Sequence, residues 1–280
     1  MSNFLPGLYI VSTPIGNLDD ITLRALNVLK KSDKILCEDT RRTIKLLNHY
    51  KIKKKLLSNH KFNEKKVLSF VIELINKGKI ISLVCDAGTP TLSDPGLILI
   101  KECIKKKINV YPIPGVSAIT SAMSVSGFNE KYFFYGFPPK KEMEINNVFS
   151  ELKDYNYNIV FFIPSIKLNF YVKSFKKFFK GRDIFIAREM TKIHETFYRF
   201  GLDDFQGFKS QVKGEITIVI SGKNKNHSEK PNINFSKLSV EISKYLNRYS
   251  LKDVVKLVSE KNNLPKKEIY KLCLKIKDEK

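Results

Sequence analysis

The chain has 280 residues, 42% of them hydrophobic and 28% charged, and carries a formal net charge of +22. That length excludes a single small module and suits two medium domains with a tail, or one large domain. No apolar run approaches the roughly 20 residues of a membrane-spanning helix, and nothing at the start reads as a secretory leader, so a cytoplasmic protein is expected. The charge favours a polyanionic partner such as nucleic acid. Only seven of the 50 basic residues are Arg, a Lys bias that coding composition alone can also produce.

In chain order, "GLYIVS" (7–12) predicts a buried strand. "DDITLRALNVLKKS" follows as a helix with Ile21, Ala25, Leu26 and Leu29 on one face. "DKILCED" is a second strand, "NEKKVLSFVIELINKG" a helix closed by Gly78, and "KIISLVCD" a third strand. A helix over "GLILIKECIKKK", a strand "INVYPIP" and a helix starting near Ser117 complete an alternation that predicts a largely parallel α/β layer. Five strand-like runs come next: "KYFFYGF", "YNIVFFI", "RDIFIAREM", "HETFYRFG" and "GEITIVISG". With one clear helix among them, around "IKLNFYVKSFKKFFK", they predict a second α/β domain of more antiparallel character. Polar, aperiodic 223–236 reads as a linker. In the closing segment Ser250 starts an S-x-x-D cap, Leu251, Val254, Val255 and Val258 share a face, and Ile269, Cys273 and Ile276 share another beyond a turn at Asn262, Asn263 and Pro265. The expected domains are 1–118, 119–222, the linker, and a basic helix-turn-helix-like tail at 237–280.

Four loops follow predicted strands of the first domain: "STPIGNLDD", "CEDTRRT", "CDAGTPTLSDPG" and "PIPGVSAIT". In a parallel sheet all four emerge at the carboxyl edge, where ligands bind and Gly lets backbone approach them. There is no phosphate-binding G-x-x-x-x-G-K-[ST], no G-x-G-x-x-G after the first strand and no G-x-S-x-G elbow. What remains is a pocket of backbone groups, small side chains and a few carboxylates, suited to a small zwitterionic ligand that carries a nucleoside. Cys37, Cys85, Cys103 and Cys273 lie far apart without a C-x-x-C, so neither a zinc site nor a disulfide framework is expected, and no metal is assigned.

"GLYIVSTPIGNLDDITLRALNVLKKSDKILCEDTRRT", "SLVCDAGTPTLSDPG", "VYPIPGVSAITSAMSVSG", "FFYGFPP", "AREMTKIHETFYRFG" and "KGEITIVISG" resemble the bacterial ribosomal RNA small subunit methyltransferase I family. That family falls within the tetrapyrrole-methylase-like superfamily of S-adenosylmethionine enzymes. The resemblance runs in order across nearly the whole chain. It implies an α/β fold of two α/β domains of the tetrapyrrole methylase type, with the donor cleft between them and a helical C-terminal tail. It further implies a homodimer that uses S-adenosylmethionine for 2'-O-methylation of a decoding-centre cytidine in 16S rRNA. Carried over by position, donor contacts fall on Pro14, Gly16, Asp86, Ala87, Gly88, Thr89, Pro90, Ser117 and Ala118, with Asp94 as a further candidate.

A ribose hydroxyl must be aligned with the methyl and must lose a proton. Charged candidates at the cleft edge are Glu38, Asp39, Arg41 and Arg42 in one domain and Arg188, Glu189 and Lys192 in the other. Asp39 or Lys192 is expected to orient or deprotonate the hydroxyl and Arg41 to hold a phosphate. An interdomain salt-bridge cluster is the competing use of these residues. In the basic stretch 49–66, Lys53, Lys54, Lys55 and His60, together with Arg42, are the expected RNA contacts, and His60, Asn63 and Glu64 match an H-x-x-N-E pattern of the family. The chain departs from the family in "FFIPSIKL", where Ile163 and Lys167 stand at positions usually Glu and Arg. Two other readings stay open on sequence alone, a tetrapyrrole (precorrin-type) methyltransferase and an inactive ribosome-assembly binding protein of the same fold.

Overall fold

The computed structural model describes residues 4–223, 235–262 and 266–278. The chain forms two compact units, Met1–Asn224 and Lys225–Lys280. The expected linker lies almost wholly outside the described residues, as do Asn263 and Pro265 of the expected turn, whose Asn262 is the last residue of a helix.

In the first unit, β1 (Gly7–Val11), β2 (Lys34–Cys37), β3 (Leu56–Ser58), β4 (Ile80–Leu83) and β5 (Val110–Ile113) make a sheet in the order β3-β2-β4-β1-β5. Every pair is parallel. Consecutive residues Ile35 and Leu36 are both fully buried, because helices cover both faces of the sheet and its strands are continuous apolar runs. On one face Ile35 packs with α1 (Leu23–Lys31) and α2 (Thr40–His49); on the other Leu36 packs with α3 (Glu64–Asn76) and α4 (Leu97–Lys105).

The second sheet has β6 (Tyr132–Gly136), β7 (Asn158–Pro164), β8 (Asp183–Arg188), β9 (Thr196–Gly201) and β10 (Glu215–Ile220) in the order β6-β7-β10-β8-β9. Only β6–β7 is parallel, which bears out the expected antiparallel character. Its strands alternate between two cores, as a period of two requires. Ile159, Phe161, Ile184, Ile186, Ile218 and Ile220 face α6 (Glu142–Leu152) and α7 (Leu168–Phe178). There Phe161 and Phe175 lie 5.2 Å apart, ring centre to ring centre. Val160, Phe185 and Val219 face the other way, onto α5 (Ala118–Ser126), in a cluster that also takes in Ile15 from the loop after β1. One helix thereby joins the two sheets into one body.

Three elements were not legible in the sequence. The helix α2 buries only Thr43 and Leu47, and α6 only Ile145, Phe149 and Leu152, stripes too thin to stand out as a period. Strand β3 is three residues long and none is fully buried, so it was hidden inside the basic stretch.

The second unit is a three-helix assembly of α8 (Phe235–Leu246), α9 (Leu251–Asn262) and α10 (Lys266–Asp278). Its own core contains Leu238, Ile242, Val254, Val255, Val258, Ile269, Cys273 and Ile276. The expected cap holds: Ser250 Oγ accepts the Asp253 N–H at 3.3 Å.

Glu64 is the most instructive buried charge. Its carboxylate, 5% exposed, accepts the Ile98 and Leu99 N–H groups at 2.9 and 3.1 Å. It thus caps a helix 34 residues away, where unpaired N–H groups and the helix dipole both favour an anion. Glu64→Ala leaves those donors buried without partners and is expected to cost about 1–3 kcal/mol, measured as a lower urea midpoint. Glu64→Gln keeps an acceptor oxygen and should lose less.

Candidate functional site

The loops after β1, β2, β4 and β5 converge at the carboxyl edge of the parallel sheet. Thr13 and Gly88 exchange backbone hydrogen bonds of 2.8 and 3.0 Å, and Gly88 does so at φ +85, a conformation that disfavours any side chain. Ser12 Oγ lies 3.0 Å from Thr89 Oγ1, which donates to the Val116 carbonyl at 3.0 Å. Asp86 accepts the Asp39 N–H at 3.1 Å through one oxygen and meets Arg42 Nε at 3.4 Å through the other. These side chains tie loop to loop and leave backbone to form much of the wall.

That wall encloses a cavity of about 400 Å³. The first sheet contributes Ile15, Glu38, Arg42, the run Asp86–Thr89, Leu92, Ser93 and Asp94; α5 contributes Ser117, Ala118 and Ile119. The second sheet closes the far side with Phe137, Phe162, Ile163, Pro164, Met190 and the run Gly214–Thr217. In a chain of net charge +22, the lining holds four acids (Glu38, Asp86, Asp94 and Glu215) against one base, Arg42. Burial, with Glu38 and Asp86 nearby, raises the Asp94 carboxyl to about 6. Burial, then Asp86, also raises Glu38.

Asp86, Ala87, Gly88, Thr89, Asp94, Ser117 and Ala118, all expected at the donor, line this cavity. Pro14, Gly16 and Pro90 are not among its lining residues. Gly16 meets a different demand. A Cβ there would sit 2.9 Å from the Met190 carbonyl and closer still to Thr191 and Lys192. Asn17 N–H donates to Thr191 Oγ1 at 2.9 Å, so this glycine lets the first half dock onto the loop after β8.

The charged candidates divide sharply. Asp39 caps α2, its Oδ1 accepting the Arg41 N–H at 2.9 Å. Both arms of the Arg41 fork also bond Asp39, at 3.0 and 2.7 Å. Those Arg41 hydrogen bonds lower the Asp39 carboxyl to about 2. Lys192 bridges Glu189 and Glu215 at 2.8 and 3.0 Å. Burial works against its ammonium, yet these bonds outweigh burial and hold its pKa above the ordinary value. Neither Asp39, Arg41 nor Lys192 lines the cavity, whereas Glu38 and Arg42 do.

The expected RNA contacts separate as well. His60 follows β3 at the carboxyl edge, close enough for its charge to act on Glu38. Lys53, Lys54 and Lys55 precede β3 and share a shallow groove with Lys34 and Lys79 at the amino edge, the opposite end of the sheet. Of the H-x-x-N-E pattern, Asn63 closes a turn by accepting the His60 N–H at 2.7 Å, and Glu64 caps α4. Sequence reasoning passed over Phe137, Phe162, Met190 and the Gly214–Thr217 run. The signals for that wall were the motifs "FFYGFPP", "AREMTK" and "KGEIT", which carry Phe137, Met190 and the Gly214–Thr217 run, and Ile163, read as a lost Glu, which is a buried apolar wall residue opposite Ile216.

The family model for tetrapyrrole (corrin/porphyrin) methylases matches residues 7–206. Among relatives, the ribosomal RNA small subunit methyltransferase I of Thermotoga maritima is 46% identical over 219 residues, covering 77% of this chain and 98% of its own. The protein of the same name from Rickettsia prowazekii is 38% identical over 281 residues and covers 97% of each chain. Among solved structures, the methyltransferase CobJ superposes with TM-score 0.59 at 14% identity, covering 77% of this chain and 94% of its own. Diphthine synthase gives 0.60 at 13%, over 76% and 89%. At that identity the two structures speak to the fold alone.

The lining suits S-adenosylmethionine. The cavity is of nucleoside-binding size, its acids complement a sulfonium and an ammonium, and the first turn of α5 presents N–H groups to a carboxylate. An ionised Asp94 attracts such a cation and a protonated one does not. Affinity for S-adenosylmethionine, measured by calorimetry, should therefore fall as pH drops through about 6, and Asp94→Asn should bind more weakly and flatten that dependence. Gly16→Val should lower both stability and donor affinity by prising the loop after β8 from its seat.

Proposed function

The chain belongs to the tetrapyrrole methylase family, and on that premise we propose that it methylates ribosomal RNA, using S-adenosylmethionine as methyl donor. The observation that carries this reading is the acidic cavity of about 400 Å³ walled by both sheets, taken with relatives named as small-subunit rRNA methyltransferases across nearly the full chain. The finer proposal is transfer to the ribose 2'-oxygen of a decoding-centre cytidine in 16S rRNA, by a cytoplasmic homodimer acting on the small subunit. It rests on the motif resemblance and on a cavity whose lining includes a desolvated carboxylate.

S-adenosylmethionine supplies, when bound, an electrophilic methyl on a positively charged sulfur. Asp86, Ala87, Gly88, Thr89, Ser117 and Ala118 are the proposed donor contacts, with Asp94 as the counter-charge. Glu38 is the proposed proton acceptor. It lines the cavity, and burial raises its pKa toward the working range of a general base. Asp39, held to about 2 by Arg41, accepts a proton poorly at neutral pH, and a Lys192 kept protonated has no lone pair to offer. The proposed role for these two is therefore to hold α2 and the loop after β8 in place. Arg42, beside Asp86 at the cavity edge and 61% exposed, and His60 are the proposed contacts to RNA near the reacting ribose.

The test is transfer of labelled methyl from S-adenosylmethionine to small subunits lacking the modification, with the labelled nucleoside identified after digestion. Label on a cytidine 2'-oxygen is expected. Glu38→Gln should lower kcat by about 10²-fold or more with donor affinity little changed, whereas Asp39→Asn should act mainly on stability. If Glu38→Gln turns over normally and Asp39→Asn does not, the assignment of the base is reversed.

A further inference from the structure

The family match ends at residue 206, yet the chain continues into a separate compact unit with a core of its own. Within it α10 buries Ile269, Cys273 and Ile276. Its opposite side presents Lys267, Lys271 and Lys275, all exposed, at four-residue spacing that stacks them on one face along about 12 Å of helix. Tyr270 and Leu274, 46% and 37% exposed, lie between them. Among the described residues none of the three lysines forms a salt bridge, whereas Lys261 on α9 is paired with Glu241. Over the helix as a whole five Lys stand against two acids, Glu268 and Asp278, whose side chains lie outside the described ones.

We infer that this face of α10, turned away from its own unit's core, docks the sugar-phosphate backbone of the RNA substrate and gives the enzyme a foothold in addition to its chemical centre. The inference rests on the reading of RNA as substrate. Exposed lysines stacked on one helix face favour RNA over a protein partner, because the buried part of a protein interface is depleted in Lys, while phosphates gain affinity from each ammonium by releasing counterions. An exposed Tyr within the stripe adds a platform on which an unpaired base can stack. The interaction supplies affinity and register, and leaves the transfer step to the cavity.

The test uses the full-length protein with Lys267, Lys271 and Lys275 all changed to Gln. A control variant removes the same charge from the first unit at the exposed Lys101, Lys105 and Lys173. Affinity is measured for intact small subunits and for protein-free 16S rRNA over a range of KCl, alongside KM and kcat for methyl transfer. Expected for the α10 variant are KM and Kd raised about tenfold or more, kcat unchanged, and a salt dependence whose slope is smaller by about 2, near the counterion release of three lost contacts. Unchanged affinity and slope overturn the proposal, as does an equal loss in the control variant. Weakening on intact subunits but not on protein-free rRNA assigns the face to a ribosomal protein and also overturns it. If the unaltered chain binds rRNA but transfers no methyl, the enzymatic reading fails while the binding series still decides the role of α10.

Discussion

The reciprocal hydrogen bonds between Thr13 and Gly88 are the interaction on which the site depends. Where parallel strands end, their backbone groups lose their ladder partners and must find others or face water. Here the loop after β1 and the loop after β4 satisfy one another, which draws a Gly with positive φ up against Ile15. Ser12, Thr89 and Val116 extend the same tie to the loop after β5, and Asp86 extends it to α2. The cavity floor is thus an interlocked set of loop ends, held before any ligand arrives.

Electrostatics then separates the surface from the interior. A chain with 50 basic residues and 28 acidic ones nevertheless places four acids and one base around its cavity. A surrounding excess of Lys attracts polyanions over distances near a Debye length, while the half-buried carboxylates Glu38, Asp86 and Asp94 select a small cation at short range, where screening by solvent is weaker. Two ligands of opposite charge can therefore be gathered by one molecule without competing for the same groups.

Much of the polar chemistry that looks available serves the architecture. Asp39 is committed to capping α2 and to both arms of Arg41, Lys192 to two glutamates, Asn63 to a turn and Glu64 to the start of α4. Bonded in two directions and absent from the cavity lining, Asp39 and Lys192 have little left for a substrate held there. Glu38 and Asp94 differ in that burial works against their charge and raises both carboxyls, Asp94 to about 6, and desolvated acids in a cleft are where functional groups concentrate.

From the sequence alone came the alternation of elements, the two sheets, the four loops of the carboxyl edge and most of the first-sheet wall, because each is written in local period or in loop composition. Strand β3 and the helices α2 and α6 were missed where their buried stripes were too short to show a period. Only the tertiary structure decided which charges meet. It put Lys53, Lys54 and Lys55 at the far edge of the sheet from His60, although a few residues separate them, because a strand carries the chain from one edge to the other. It also brought Met190 and the Gly214–Thr217 run into one cavity with Gly88 across more than a hundred residues, and gave Gly16 its purpose in the backbone of a distant loop. Contacts made through space between remote segments leave no periodic trace in either one, so they become visible only when the chain is folded.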